Sequence, residues 1–244
     1  WLPAYPGRCS TVELFGKIKN VVRFPDRQSA SLSIPSSWLH YYLINLEPGL
    51  EVEMKREFLT WEFRQRTGTA GQSLKPKFYT IHSTDGKEQV LTVGVPTDLL
   101  DIFVEVSDRV HFTLKIVDID ILSALRALPE LNKKQFVCKY TSQTVTITEA
   151  YDGDIAAVAQ FLRKTDDTLQ YMRGTTSDKY ARMLLDKLQR LNDQDKSVDE
   201  PFWVYGNALP ASVQSRVQSS EKINIIHPFY GFTVLSGAAK GMSL

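Results

Sequence analysis

A short strand that ends at a proline, followed by an apolar helical turn and a second strand, occurs twice in this chain. The first unit comprises segments 27–35, 36–44 and 46–54, and the second comprises 89–96, 97–104 and 106–112. A single unit of this kind cannot enclose a hydrophobic core, because it exposes one apolar sheet face and open strand edges. We therefore expect the two units to complete each other's core, so that one chain builds what two identical chains usually build.

The first unit also has a recognisable order of polar residues and turns. Gln28-Ser29 precedes Ile34-Pro35, and the turn at Pro48-Gly49 precedes Val52-Glu53. This order resembles the AbrB/MazE family of swapped-hairpin DNA-binding domains, in which Asn-Ser precedes Ile-Pro and a Lys-Pro-Gly-Asp turn precedes Val-Glu-Val. The resemblance spans about residues 17–63, with a second copy over about 77–117.

The resemblance implies an α+β fold in which tandem strand-Pro-helix-strand units form a β-barrel pseudo-dimer with a C-terminal helical and β extension. We expect residues 1–122 to form this tandem barrel, and residues 123–244 to form an α+β C-terminal domain of unknown role. The two copies within the barrel are expected at 12–66 and 76–120, joined by the small, polar linker 67–75.

The resemblance further implies that basic side chains before the Ile-Pro strand contact DNA. The candidate nucleic-acid-binding residues are Lys17, Lys19, Arg23, Arg27, Gln28 and Ser29. Guanidinium groups suit this task because they pair with phosphates and guanine edges in a bidentate fashion. The same charges also suit the solvated face of a half-buried strand, so both interpretations stay open here.

The charge distribution favours a localised partner site over general coating of nucleic acid. Net charge is only +1, but residues 1–80 hold 11 Lys and Arg against 7 Asp and Glu, whereas residues 81–150 hold 7 against 10. A polyanion would therefore bind near the first copy. We predict a sequence-recognising DNA-binding regulator whose partner is double-stranded DNA, with a protein partner or self-association through the C-terminal helices.

Two other classes of function remain open. The first is a protein-interaction or assembly scaffold, antitoxin-like and without catalytic activity. The second is an enzyme whose site is assembled from distant residues such as His111, Asp118 and His227. Asp118 and Asp120 could hold Mg²⁺, although a solvated strand face is the more typical explanation of such a pair. No spacing typical of a metal or nucleophile site occurs, so no catalytic residue, metal or cofactor is expected.

The remaining segments predict further elements and a location. Alternation predicts a hairpin over 52–64 and strands within 136–148, and apolar spacing predicts helices over 155–162 and from Ser177 onward. Residues 202–205 and 223–235 are predicted to return to β or irregular structure. No run of about 18 apolar residues is present, and the two cysteines form no disulfide framework, so we expect a cytoplasmic protein, with nucleoid association as an option.

Overall fold

The computed structural model describes residues 29–68, 73–82, 88–110, 113–128, 133–151, 154–164, 168–175 and 177–226. Within these ranges the chain forms three open β-sheets with two, three and six strands. Helices cover outer sheet faces, and apolar side chains fill the space between the sheets. The fold is therefore α+β with open, mixed sheets.

The smallest sheet pairs two strands that are far apart in sequence. Strand β1 (Ser29–Ile34) lies parallel to strand β5 (Thr113–Ile119), with Ile34 opposite Ile119. Pro35 ends β1 because proline has no N–H to donate to a ladder. The chain then makes one 3-10 turn, Ser36–Trp38, in which the Trp38 N–H donates to the Pro35 carbonyl at 2.9 Å.

The second sheet is antiparallel. Its strands lie between β1 and β5 in the sequence. Its strands are β2 (His40–Leu46), β3 (Leu74–His82) and β4 (Glu88–Pro96), in the order β2-β4-β3. Helix α1 (Val52–Thr67) covers one face of this sheet with Leu59 and Phe63. Helix α2 (Thr97–Val110) follows β4 directly, and helix α3 (Asp120–Ala127) follows β5.

The third sheet has the order β11-β10-β6-β7-β8-β9 and is the largest. Its strands are β6 (Gln135–Tyr140), β7 (Thr144–Tyr151), β8 (Asp154–Arg163), β9 (Leu169–Gly174), β10 (Phe202–Gly206) and β11 (Ile223–Ile225). Helices α4 (Asp178–Asn192) and α5 (Ala211–Ser219) cover one face. Because the sheet is covered on both sides, seven of the eight residues of β7 are buried.

One hydrophobic core joins all three sheets. It contains Ile34 and Ile119 from the two-stranded sheet, Val93 from the three-stranded sheet, and Val137 and Tyr205 from the six-stranded sheet. A second core lies between the other face of the six-stranded sheet and α4, where Leu184, Leu188 and Leu191 are fully buried.

The expected tandem barrel is wrong, because the repeated units do not pair with each other as hairpins. In the first unit, segment 36–44 is a short turn followed by β2, and segment 46–54 is a turn that leads into α1. In the second unit, α2 continues through the expected strand to Val110. Ile34 and Val95 do share a core, but they lie in different open sheets.

Two further elements differ from the sequence prediction for identifiable reasons. The expected hairpin over 52–64 is helix α1, which is rich in Glu, Lys, Arg, Met and Gln, all good helix formers. The expected helix over 155–162 is strand β8. Val158 faces one hydrophobic core and Phe161 faces the other. Because apolar residues occupy both sides of the strand, its sequence does not alternate between apolar and polar residues.

Other elements are confirmed, and one boundary stays a prediction. Strands lie at 88–96, within 135–151 and at 202–206, and α4 begins after Ser177, whose hydroxyl accepts from the Tyr180 N–H. A division into domains near residue 122 remains a prediction, and this position lies in α3. None of the described helices combines the length and the apolar character needed to cross a membrane.

Candidate functional site

A cavity of about 340 Å³ lies where β1, β3, β4, β5 and α2 meet. This volume is at the lower end of the range for ligand pockets in proteins, roughly 300 to 1,000 Å³. Its apolar wall is formed by Ile34, Val95, Leu100, Val104 and Ile119. The cavity therefore offers a preformed apolar surface to a group of a few side chains in size.

Strand β3 supplies the polar side of the cavity by simple alternation. Lys75, Lys77 and Tyr79 are two residues apart, so their side chains project from the same face of the strand. In the ladder, Lys75 pairs with Val95 and Lys77 with Val93, both of which are buried. The two lysines are exposed and Tyr79 is half-buried, so positive charge lies at the mouth.

The helix α2 forms the opposite rim. Leu100 and Val104 are four residues apart, on one face of the helix. Leu100 is partly buried against the main core, whereas Val104 is 52% exposed. A large apolar side chain that is exposed at the mouth of an apolar cavity extends the apolar surface outward.

Asp118 also lines the cavity and is only 3% exposed. Its Oδ2 atom accepts a hydrogen bond from Ser123 Oγ at 2.9 Å and forms an ion pair with Arg126. Both partners come from α3, so the carboxylate ties the end of β5 to the next helix. A buried carboxylate is stable here because its charge is paired and hydrogen-bonded.

Asp120 has a different set of partners. Its Oδ1 atom accepts from the Ser36 N–H at 2.9 Å, and Lys139 of β6 forms an ion pair with Oδ2. Asp120 thus links the turn after β1 to the six-stranded sheet. The expected solvated strand face for Asp118 and Asp120 is wrong, because both are buried. Among the described residues, no group of three or more His, Cys, Asp or Glu side chains meets that could hold a metal ion.

The hydroxyl of Tyr79 keeps its proton under ordinary conditions. Burial raises the pKa of Tyr79 above its usual value, and the charge of Asp118 raises it further, while Arg126 opposes both effects. A neutral phenol can donate a hydrogen bond to a ligand or accept one. The cavity thus combines an apolar wall, one neutral hydroxyl and two lysines at its mouth.

Most of the nucleic-acid-binding residues proposed from sequence are not among the described residues. Lys17, Lys19, Arg23, Arg27 and Gln28 are outside the described residues. Ser29 begins β1, opposite Thr113, and its side chain is not described. The proposed nucleic-acid-binding role of these six residues remains a prediction.

The enzyme alternative depends on three residues, of which only Asp118 is described. His111 and His227 lie outside the described residues, and Asp118 is engaged by Ser123 and Arg126. Sequence reasoning missed Lys75, Lys77 and Tyr79, although their alternation was a usable signal. It could not assign them to a site because the facing wall comes from β1 and α2.

A second groove, of about 530 Å³, lies between β10, β11 and α5, beside Trp203 and Val217. It borders Ile225 and lies close to Ile226, where the described part of the chain ends.

Comparisons with known proteins define the fold but not a family. No protein-family model and no curated protein matches this sequence. Among solved structures, the chain is similar to the PilM-PilN type IV pilus biogenesis complex, with a TM-score of 0.62 and 13% sequence identity, over 98% of this chain and 89% of that chain.

Two other solved structures show lower similarity. The cytoplasmic domain of EpsL, an inner membrane component of the type II secretion system of Vibrio cholerae, has a TM-score of 0.49 at 14% identity, over 94% of this chain and 80% of that chain. A Bacteroides thetaiotaomicron protein with an actin-like ATPase fold and unknown function has a TM-score of 0.42 at 11% identity, over 89% and 76%. Of the three, only the PilM-PilN likeness has a TM-score high enough to show a shared fold.

These comparisons overturn the resemblance on which the first function was based. The fold is shared with a chain of the PilM-PilN complex and not with swapped-hairpin DNA-binding domains. The sequence-recognising DNA-binding regulator is therefore wrong, since it depended on the barrel.

Proposed function

We propose that this chain is an assembly protein that binds an extended, apolar segment of a second protein in the cavity between β1, β3, β4, β5 and α2. The observation that carries the proposal is the cavity itself, with an apolar wall, a neutral Tyr79 hydroxyl and two exposed lysines. The likeness to the PilM-PilN complex supports it, because that structure is a complex of proteins for type IV pilus biogenesis. We infer a comparable role in assembling a pilus or secretion apparatus.

The chemistry of the cavity defines the kind of segment that fits. Apolar anchor side chains gain most when they leave water and enter a preformed apolar pocket. Lys75 and Lys77 favour acidic residues next to the anchors, since opposite charges at the rim steer association and set orientation. The expected ligand is therefore a short peptide with one to three large apolar residues and a flanking Asp or Glu.

Selection from a random library tests this expectation without knowledge of the natural partner. Phage-displayed random peptides would be selected on the wild-type chain. We expect enriched peptides to share apolar residues with acidic neighbours. Their affinities would then be measured by fluorescence anisotropy against two variants, Val104→Asp at the rim and Val52→Asp as a matched control.

The two variants make the same chemical change in different places. Val104 is 52% exposed at the cavity, and Val52 is 75% exposed on α1, so neither substitution buries a charge. We expect Val104→Asp to weaken peptide binding at least tenfold, in the range of an interface hot spot, and Val52→Asp to leave it unchanged. Peptides that bind both variants equally well would show that the cavity is not the binding site.

A further inference from the structure

Helix α1 has two apolar faces, and only one of them is used within the described part of the chain. Leu59 and Phe63 are 5% and 1% exposed and pack on the three-stranded sheet. Met54, Phe58 and Trp61 are 49%, 38% and 55% exposed. Their spacing of four and three residues places them in one row on the opposite face. We call these three residues the α1 stripe.

The composition of the α1 stripe is that of a binding surface. Single exposed apolar residues are normal on a protein surface, whereas several adjacent ones mark an interaction site. The rings of Phe58 and Trp61 already contact each other, with centroids 6.2 Å apart. Methionine, phenylalanine and tryptophan are enriched at protein–protein interfaces, and tryptophan is among the commonest hot-spot residues.

Charges beside the α1 stripe are arranged with opposite signs at the two ends. Glu53 and Glu57 lie toward the start of α1 and Arg64 toward its end, all on the same flank of the stripe and all exposed. Within the described residues these three make no ion pair. By contrast, Lys55 pairs with Glu88, and Arg66 pairs with Glu62, so those two cations already serve the fold.

This charge order is self-complementary for one arrangement. If two copies of α1 pack antiparallel about a two-fold axis, the α1 stripes face each other and the same flanks become neighbours. Glu53 of each copy then lies beside Arg64 of the other, and this contact occurs twice, while Glu57 lies near the two-fold axis. In a parallel two-fold pair this flank of one copy would instead lie next to the opposite flank of the other, so Glu53 and Arg64 would not meet. We propose that a second copy of this chain covers the α1 stripe, in an antiparallel homodimer.

The homodimer is compatible with the proposed function but independent of it. The cavity uses the face of the three-stranded sheet that carries Lys77 and Val95, and α1 covers the other face. One helix pair buries less area than a standard protein interface, so we expect a weak dimer that dissociates on dilution. Peptide binding in the cavity would not require it.

Sedimentation equilibrium of the wild-type chain, from about 1 to 200 µM to cover weak affinities, tests the proposal directly. We expect a reversible monomer–dimer equilibrium that weakens as salt is raised, because rim charges are screened. Trp61→Glu should weaken the dimer at least tenfold, as expected when a central aromatic residue is lost. A wild-type chain that stays monomeric over this range would overturn the proposal.

Charge reversal identifies the antiparallel arrangement. Arg64→Glu, and separately Glu53→Arg, should each weaken the homodimer about tenfold, because like charges then face each other. An equimolar mixture of these two variants should form a heterodimer with affinity within about threefold of wild type. Arg182→Glu is the matched control, since Arg182 is exposed on α4 and makes the same change of charge away from α1.

Each alternative outcome has a clear meaning. If Arg182→Glu weakens association as much as Arg64→Glu does, net charge and not the α1 flank controls dimerisation, and the proposal fails. If the mixture of variants shows no heterodimer, the antiparallel pairing is wrong. Circular dichroism of each variant confirms that α1 remains folded, which is expected because every altered side chain is exposed.

Discussion

The ring of Phe63 lies in the space that a side chain at Gly94 would occupy. A β carbon built on Gly94 would be 2.6 Å from Phe63 Cζ and 3.2 Å from Leu74 Cδ1. Gly94 lies two residues before the end of β4, opposite His40 on one side and Pro76 on the other. The absence of a side chain there lets α1 approach the three-stranded sheet closely.

Gly94→Ala should therefore destabilise the fold by overpacking, by about 1 to 3 kcal/mol. Chemical denaturation measures the free energy of unfolding. In a double-mutant cycle, Phe63→Leu should cost less in the Gly94→Ala background than in the wild type, because the smaller side chain relieves the clash. Additive effects of the two substitutions would contradict the proposed contact.

Arg216 should be a strong stabilising residue in the C-terminal half of the chain. Its side chain is 7% exposed and donates to the carbonyl oxygens of Leu191, Asp193 and Lys196 at 3.1, 2.6 and 2.6 Å. These carbonyls lie at and beyond the end of α4, where a positive charge is favourable. Arg216→Met keeps the aliphatic stem but removes these donors, and should lower the free energy of unfolding by about 3 kcal/mol.

A matched control for this prediction lies on α4. Arg182→Met makes the same change at an exposed position and should alter stability by less than about 0.5 kcal/mol. Arg216→Lys retains the charge but not the planar fork of donors, so its cost should fall between those of the other two variants. Equal stability of all three variants would contradict a capping role for Arg216.

The Asp120–Lys139 ion pair should be costly to break from one side. The two side chains are 7% and 16% exposed. Lys139→Met leaves the Asp120 carboxylate buried with the Ser36 N–H but no cation, and should destabilise the fold by about 3 kcal/mol.

Removing both charges tests the cause of this loss. Adding Asp120→Asn to Lys139→Met should recover much of the stability, because the amide oxygen can still accept from the Ser36 N–H. Arg109→Ala breaks an exposed pair with Glu105 on α2 and should cost less than about 1 kcal/mol. A Lys139→Met variant as stable as Arg109→Ala would show that burial of Asp120 carries no penalty.

Stability should fall in alkali because of buried tyrosines. Burial raises the pKa of Tyr205, and the charge of Asp120 raises it further; burial likewise raises the pKa of Tyr140. The folded state therefore holds these protons at a pH where the unfolded chain releases them. The contribution to stability is complete below the unfolded pKa of about 10 and is lost as pH rises through the folded value.

Guanidinium unfolding at several pH values above neutrality measures this loss. Relative to Tyr205→Phe, the wild type should lose about 1.4 kcal/mol more per pH unit once the pH exceeds about 10. Comparison with the variant removes the contribution of lysines, which titrate in the same range. Parallel stability curves for the two proteins would show that Tyr205 ionises normally in the folded state.

Local patterns predicted several elements but not their partners. The strand that ends at Pro96 and the helix that begins after Ser177 are confirmed, because a proline and a capping serine act within a few residues. The sequence also contains the helical spacing of Met54, Phe58 and Trp61, yet the alternation of Val52 with Met54 and of Trp61 with Phe63 predicts a hairpin. Both periods occur in this segment, since α1 carries apolar residues on two faces.

In the candidate site, too, the local sequence indicates individual residues but not the distant segments that they contact. Asp118 was identified as a carboxylate with possible chemistry, but its burial and its pairing with Arg126 depend on the turn from β5 into α3. Lys75, Lys77 and Tyr79 alternate in sequence, but they line a cavity only because α2 and β1 provide the facing wall. No local rule relates those segments.

The amino-acid sequence by itself determined where the chain turns, where prolines end strands and which segments are amphipathic. Those properties follow from backbone geometry and from side chains within one or two turns of each other. Only the tertiary structure decided that Ile34 pairs with Ile119 and that the sheets remain open. Pairing between distant strands depends on the free energy of the whole core, in which many weak contacts between remote residues are formed together.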